Sequence, residues 1–214
     1  MTLRAIAVPP ASGEPPTGLL IGLHGWGANA QDLVALSNYI DLPTYAMLFP
    51  DAPFPHPQAP GGKMWYGFPA GFSFQVDTPL TQQADLQESR QLLKDWLLSL
   101  EAKTGVPPER TLIAGFSQGG AMTLDVGSQL PVAGLLILSG YLHGVLPTTT
   151  KIQAPILMVH GRQDPIVPIS AARAAKQALL DQSASVDYHE LDMGHEIDFT
   201  VLKMIQSFVA KQAA

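Results

Sequence analysis

The run Leu112-Ile113-Ala114-Gly115-Phe116-Ser117-Gln118-Gly119-Gly120-Ala121-Met122 carries an apolar, strand-length segment straight into Gly-x-Ser-x-Gly, after which a helical signal begins at once. That order mounts a serine on a sharp, strained turn between strand and helix, with its hydroxyl clear of the sheet. Gly115 and Gly119 have a steric task here. Strand and helix cross so closely beside the serine that a Cβ at either position collides with the other element. The helix that follows directs free N–H groups and the positive end of its dipole toward an anion forming near Ser117. A serine presented this way calls for a base, an acid and oxyanion donors elsewhere in the chain.

Working outward, short uninterrupted apolar runs recur at 19–23, 46–49, 111–114, 135–138 and 156–159. Strands apolar on consecutive residues are buried on both faces, as in a parallel sheet covered by helices. Residues 3–8 and 186–191 alternate more and are expected at the sheet edges. Helix-length segments fall between the runs, at 28–38, 81–103, 118–130, 170–182 and 198–211. In the second of these, Leu86, Leu92, Leu93, Trp96, Leu97 and Leu100 recur at three- and four-residue steps. Strand and helix alternate, so the expected class is α/β, with a mostly parallel, doubly wound central sheet and helices on both faces. One domain is expected over residues 1–214. The exception to the alternation is 53–79, rich in Pro, Gly and aromatic residues. It holds Phe54, Trp65, Tyr66, Phe68, Phe72 and Phe74 but no periodic element. So many aromatics in a long loop predict an ordered flap beside the serine that helps form an apolar pocket.

Bulk properties narrow the field. At 214 residues, 46% hydrophobic and 14% charged, the chain is expected to be globular and to bury a sizeable core. A net charge of −6 argues against a nucleic-acid partner, which requires concentrated Lys and Arg. The absence of cysteine removes disulfides, thiolate metal sites and a cysteine nucleophile together. No cluster has metal-ligand spacing, so neither metal nor cofactor is expected. No charged segment leads into a long apolar one at the N-terminus, and no run approaches the ~20 apolar residues that span a bilayer. A cytoplasmic location without an integral membrane segment is the expectation.

The acid and base are sought after the serine, in the order Ser, Asp or Glu, His. Between Asp125 and Asp164 the sequence contains no carboxylate, and Asp164 lies a few residues past a buried strand. Asp181, Asp187, Asp192 and Asp198 lie on expected helix ends or on the alternating strand, which leaves Asp164 as the acid. Of the later histidines, His189 belongs to that strand, whereas His195 follows it in Met193-Gly194-His195-Glu196, where the glycine lets the loop turn back toward Ser117. A neutral imidazole can take the serine proton and return it to a leaving group. His24 and His160 are expected to be satisfied structural histidines, and His56 and His143 to lie at the surface. One oxyanion donor is the backbone N–H of Gln118. The other is sought in Leu23-His24-Gly25-Trp26-Gly27, with Trp26 preferred and Leu23 as the alternative.

With Leu23-His24-Gly25-Trp26-Gly27, Gly115-Phe116-Ser117-Gln118-Gly119-Gly120, Gly161-Arg162-Gln163-Asp164-Pro165-Ile166-Val167-Pro168 and Gly194-His195-Glu196 in order, the chain resembles the phospholipase/carboxylesterase family of small α/β-hydrolases. The resemblance runs from about Gly18 to the C-terminus. It implies a Ser117–Asp164–His195 triad and an oxyanion hole from the backbones of Trp26 and Gln118. It also implies an acyl pocket bordered by Trp65 and Tyr66 and by the loop after Asp164, where Ile166 is the expected contact. Trp26 stands where members often carry leucine, and residues 67–75 depart from the family pattern, so acyl-chain preference does not carry over.

These readings converge on a serine hydrolase that cleaves carboxylic esters of short to medium acyl chains through an acyl-serine, acting on a small ester or lipid-like substrate as a monomer or homodimer. An acyl thioesterase or lysophospholipase acting on lipid-derived acyl groups shares the same residues and differs in its substrate. A dienelactone-type hydrolase is disfavoured because it commonly uses cysteine. A non-catalytic ligand-binding α/β-hydrolase is disfavoured by the intact set of triad residues and glycines.

Overall fold

A strand with no polar break has no face to give to water, and the apolar runs accordingly pair with one another in the middle of the protein. The structure, a computed structural model, describes residues 3–74, 80–146 and 151–213. In chain order its strands are β1 (Ala5–Val8), β2 (Gly18–Leu23), β3 (Tyr45–Pro50), β4 (Phe54–Pro55), β5 (Lys63–Met64), β6 (Thr111–Phe116), β7 (Gly134–Leu138), β8 (Ile156–Gly161) and β9 (Val186–Leu191). The α-helices are α1 (Ala30–Val34), α2 (Ala84–Leu98), α3 (Leu100–Thr104), α4 (Gln118–Met122), α5 (Ile169–Asp181) and α6 (Phe199–Ala213).

Seven strands form one sheet in the order β1-β3-β2-β6-β7-β8-β9. All neighbours are parallel except β1, which runs antiparallel to β3. The two alternating segments are the two edges, as their pattern predicts. Every residue of β2, β7 and β8 is buried. Successive side chains feed opposite faces. Leu19, Ile21, Ile113, Leu135, Ile137, Ile156 and Met158 pack with α2, α4 and α5, while Leu20, Leu112, Leu136, Leu138, Leu157 and Val159 pack with α1 and α6. Burying one such side chain contributes about 1.5–3 kcal/mol, so the two cores define the register.

The chain adds β3 and β1 outward from β2 on one side and β6 to β9 on the other. The order therefore reverses between β2 and β6. In open α/β sheets the crevice at such a switch point is where ligands bind, and both the 24–27 loop and Ser117 emerge there.

The helices differ locally from the periodicity. The stretch expected as one helix over 81–103 is a 3₁₀ turn at Leu80–Gln82 followed by α2 and α3, divided at Ser99. The 28–38 segment tightens from α1 into a 3₁₀ turn at Ala35–Tyr39, and the helix after Ser117 widens from α4 into a π turn at Thr123–Gly127. Within 53–79, read as free of regular structure, β4 and β5 form a small antiparallel hairpin. Residues 75–79 of that segment lie outside the described residues. Among the described residues, no helix is long and apolar enough to cross a membrane.

Candidate active site

Ser117 sits directly after β6 with φ 54° and ψ −116°, in the left-handed half of backbone space that a side chain rarely adopts. Its N–H donates to the Leu138 carbonyl at 2.8 Å and its carbonyl accepts from Ala121 at 3.0 Å, so strand and helix hold the turn from both ends. A Cβ on Gly115 would lie 2.1 Å from the Gly119 oxygen, and one on Gly119 would lie 2.1 Å from the Leu23 oxygen. Both glycines are therefore required by close backbone approach.

Asp164 follows β8, and its side chain is fully buried. One carboxylate oxygen accepts from the amides of Ile166 and Val167, each at 2.9 Å, and the other accepts from Nδ1 of His195 at 2.7 Å. His195 lies between β9 and α6, with its ring centroid 4.7 Å from that of Phe116, the residue before Ser117. Three distant segments thus meet at the C-terminal rim of the sheet. With Nδ1–H committed to Asp164, Nε2 of the neutral ring is left as an acceptor. The Ser117 hydroxyl makes no hydrogen bond among the described residues. Such contacts are often long before a substrate tightens them.

The loop after β2 runs beside the serine: a Cβ on Gly25 would lie 3.4 Å from the Ser117 Cβ. The β4–β5 hairpin clasps this loop, with the Gly27 N–H donating to the Lys63 carbonyl at 2.9 Å and the Lys63 N–H donating to the Ala28 carbonyl at 2.8 Å. The backbone N–H groups of Trp26 and Gln118 have no acceptor among the described residues, which leaves them available to a developing oxyanion. Leu23, the alternative donor, belongs to β2 and pairs in register with Gly115.

His24 is structural, as expected. Its Nδ1 donates to the Gly25 carbonyl at 2.8 Å, its Nε2 accepts from Ala52 at 3.0 Å, and burial pushes its pKa below the ordinary value. His160 is likewise buried, donating from Nε2 to the Val167 carbonyl at 2.8 Å, and desolvation lowers its pKa.

Two other histidines are corrected by the structure. His143, expected at the surface, is buried between Asp125 and Tyr66. His56 is half-buried: its Nδ1 accepts from the amides of Gln58 and Ala59, and its ring packs edge-on to Trp26 at 4.1 Å. Asp125 and Tyr66 around His143, and Trp26 against His56, come from distant segments that a local pattern does not reveal.

Trp65 and Tyr66, expected at the pocket wall, are fully buried and offer no surface to a ligand. Their backbone is clamped by the Gln118 side chain, which accepts from the Trp65 N–H and donates to the Tyr66 carbonyl, each at 2.8 Å. The Trp65 indole N–H donates to the His24 carbonyl at 3.0 Å, and the Ser89 hydroxyl donates to the Trp65 carbonyl. The apolar surface lies beside them. Trp26 and Ile166 are 43% and 59% exposed, and a chain of ring contacts links Trp26 to Phe68 (5.7 Å), Phe68 to Phe72 (4.8 Å) and Phe72 to Phe74 (5.0 Å). Clustering of these phenylalanines was visible in the sequence, but it does not tell which aromatics face inward. Among the described residues, no group of His, Asp or Glu is arranged to hold a metal ion.

Comparison with known proteins identifies the family. Residues 5–213 match the phospholipase/carboxylesterase family. The chain is 30% identical to the esterase YpfH of Escherichia coli, covering 86% of this chain and 78% of that protein. It is also 30% identical to acyl-protein thioesterase 1 of Saccharomyces cerevisiae, over 92% and 94%. The crystal structure of esterase PE8 superposes with a TM-score of 0.89 at 28% identity, covering 99% of each chain. The chain belongs to the phospholipase/carboxylesterase family and is a hydrolase of carboxylic esters.

Proposed function

We propose that the protein hydrolyses uncharged carboxylic esters of short to medium acyl length through an acyl-serine intermediate on Ser117. In this reading the Ser117 oxygen attacks the acyl carbon while its proton passes to Nε2 of His195. The charge gathering on the carbonyl oxygen is received by the backbone N–H groups of Trp26 and Gln118. Asp164 keeps the imidazole in the right tautomer and stabilises its positive form. His195 then returns the proton to the departing alcohol. Water deprotonated by the same ring attacks the acyl-serine, and His195 passes that proton to the departing Ser117 oxygen as the acid is released.

The observation that carries this reading is the 2.7 Å bond from His195 to a buried carboxylate whose other oxygen is pinned by two amides. The apolar rim of Trp26, Ile166 and the half-buried phenylalanines supports an uncharged acyl group. A second reading, cleavage of acyl thioesters, draws on the yeast relative, whose name is acyl-protein thioesterase 1.

Purified protein assayed on p-nitrophenyl esters from acetyl to dodecanoyl, with matched thioesters, tests both readings. Highest kcat/KM on the short and medium oxygen esters is expected, together with stoichiometric labelling of Ser117 by a fluorophosphonate. A tenfold or greater preference for thioesters favours the second reading. An unlabelled Ser117 removes the acyl-serine.

A further inference from the structure

Among the described residues, the reaction leaves unused a largely buried polar assembly. Arg90 on α2 donates from Nε to Asp125 at 2.6 Å, and its Nη2 lies 2.6 Å from the same carboxylate oxygen. That oxygen is 2.5 Å from Nδ1 of His143, whose Nε2 is 2.7 Å from the Tyr66 hydroxyl. The Tyr66 hydroxyl is in turn 2.5 Å from that of Tyr141. Donor and acceptor chemistry gives the chain one direction. A carboxylate beside a guanidinium can only accept, so Nδ1 of His143 donates and Nε2 accepts. Tyr66 therefore donates to His143 and accepts from Tyr141. Burial holds His143 below its ordinary pKa and both phenols above theirs, in keeping with a neutral ring and intact hydroxyls.

The placement of this chain matters more than its stability. Asp125 lies in the π turn of the helix that begins after Ser117, and π turns interrupt helices frequently at functional sites. Tyr66 lies in the flap and is tied to the same helix twice, by its carbonyl to Gln118 and by its phenol through His143 to Asp125. The flap residues that follow, Phe68, Phe72 and Phe74, are joined by ring contacts to Tyr66 and Tyr141. Thus one hydrogen-bonded chain joins the helix carrying the oxyanion donor Gln118 to the aromatic segment beside the serine.

We propose that Asp125, His143 and Tyr141 are positioning residues of this hydrolase, acting through the Tyr66 phenol to hold the 65–74 aromatic segment in register with Ser117. This rests on Ser117 being the nucleophile. Displacement of about 1 Å at a site remote from the chemistry can cost up to two orders of magnitude in rate. His143, Tyr66 and Tyr141 are buried and linked in series, so losing one link releases the others together.

The test uses Tyr66→Phe, which removes one hydroxyl, His143→Phe, which keeps a ring without its nitrogens, and the double variant. Each is assayed for kcat and KM well below its melting temperature, with wild-type Ser117 labelling by a fluorophosphonate run in parallel. Each single variant is expected to lose kcat/KM on the order of tenfold. The double is expected to lose no more than the worse single, because both break one chain. Singles within twofold of wild type, with only the melting temperature lowered, overturn the proposal, as do losses that multiply in the double. Should His143→Phe fail to fold, Tyr141→Phe replaces it in the same cycle. Absent labelling of wild-type Ser117 defeats the nucleophile assignment instead, whatever the variants do.

Discussion

Gly119 lies so close to Leu23 that a methyl group on its α-carbon would come within 2.1 Å of the Leu23 carbonyl oxygen. Backbone stands on both sides of that contact, so no side-chain rotation relieves it. The Gly119→Ala variant is therefore expected to lose about 1–3 kcal/mol of stability or more, since overpacking forces the backbone to shift. Activity should fall with it, because α4 and the Gln118 amide move away from the serine. Urea unfolding with parallel esterase assays measures both, and a stability change below about 0.5 kcal/mol, the range of neutral surface substitutions, would contradict the contact.

Ser117 occupies a strained backbone position, with φ 54° and ψ −116°. Two substitutions separate chemistry from strain. Ser117→Ala and Ser117→Gly are both expected to lower kcat by at least about 10⁴-fold, since each removes the triad nucleophile. Only the glycine variant relieves the strain, so it should be more stable than the alanine variant by about 1 kcal/mol. Equal melting temperatures for the two would show that the turn stores no strain.

Asp164 accepts three hydrogen bonds, and asparagine can keep those from Ile166 and Val167. Its amide would then face Nδ1 of His195 as a donor and drive the ring proton to Nε2, the nitrogen needed to receive the serine proton. Asp164→Asn is expected to fold normally and to lose kcat by about 10⁴-fold near neutral pH. Circular dichroism and steady-state kinetics check the two halves. A kcat within tenfold of wild type would dismiss Asp164 as the orienting acid.

His24, His143 and His160 all have pKa values below the ordinary 6.5, chiefly because burial disfavours the charged ring. Below about pH 6.5 the unfolded chain takes up protons at these rings, while the folded protein does so only at lower pH. Stability must therefore fall as pH drops through this window, by up to about 1.4 kcal/mol per pH unit for each ring. Asp125 adds to the loss in stronger acid, since its partners His143 and Arg90 hold its pKa down against the opposing effect of burial. Denaturant midpoints between pH 7.5 and 5.0 are the measurement. A flat profile rules out neutral buried histidines, and His143→Phe should reduce the slope by one ring's share.

Local chemistry made much of the architecture legible. Apolar runs without a polar break at 19–23 and 135–138 can be satisfied only by strands covered on both faces, and the alternating segments at 3–8 and 186–191 duly took the edges. Gly115 and Gly119 announced a close crossing because a missing Cβ is a local, steric statement. The pairing of Asp164 with His195 followed from elimination among few carboxylates and from the glycine that turns the loop after β9.

What the residues in order could not disclose was which polar groups meet across the fold. Trp65 and Tyr66 looked like pocket walls, yet only the tertiary arrangement gave their polar atoms buried partners on the loop after β2, on α2 and α4, and on the loop after β7. His143 looked exposed because its partners Asp125 and Tyr66 stand 18 and 77 residues away. Periodicity reports how each segment divides itself between water and core, a property of neighbours in the chain. The partner of a buried hydrogen-bonding group is chosen by closure of the whole sheet, so the composition of the site's rim was decided by the folded structure alone.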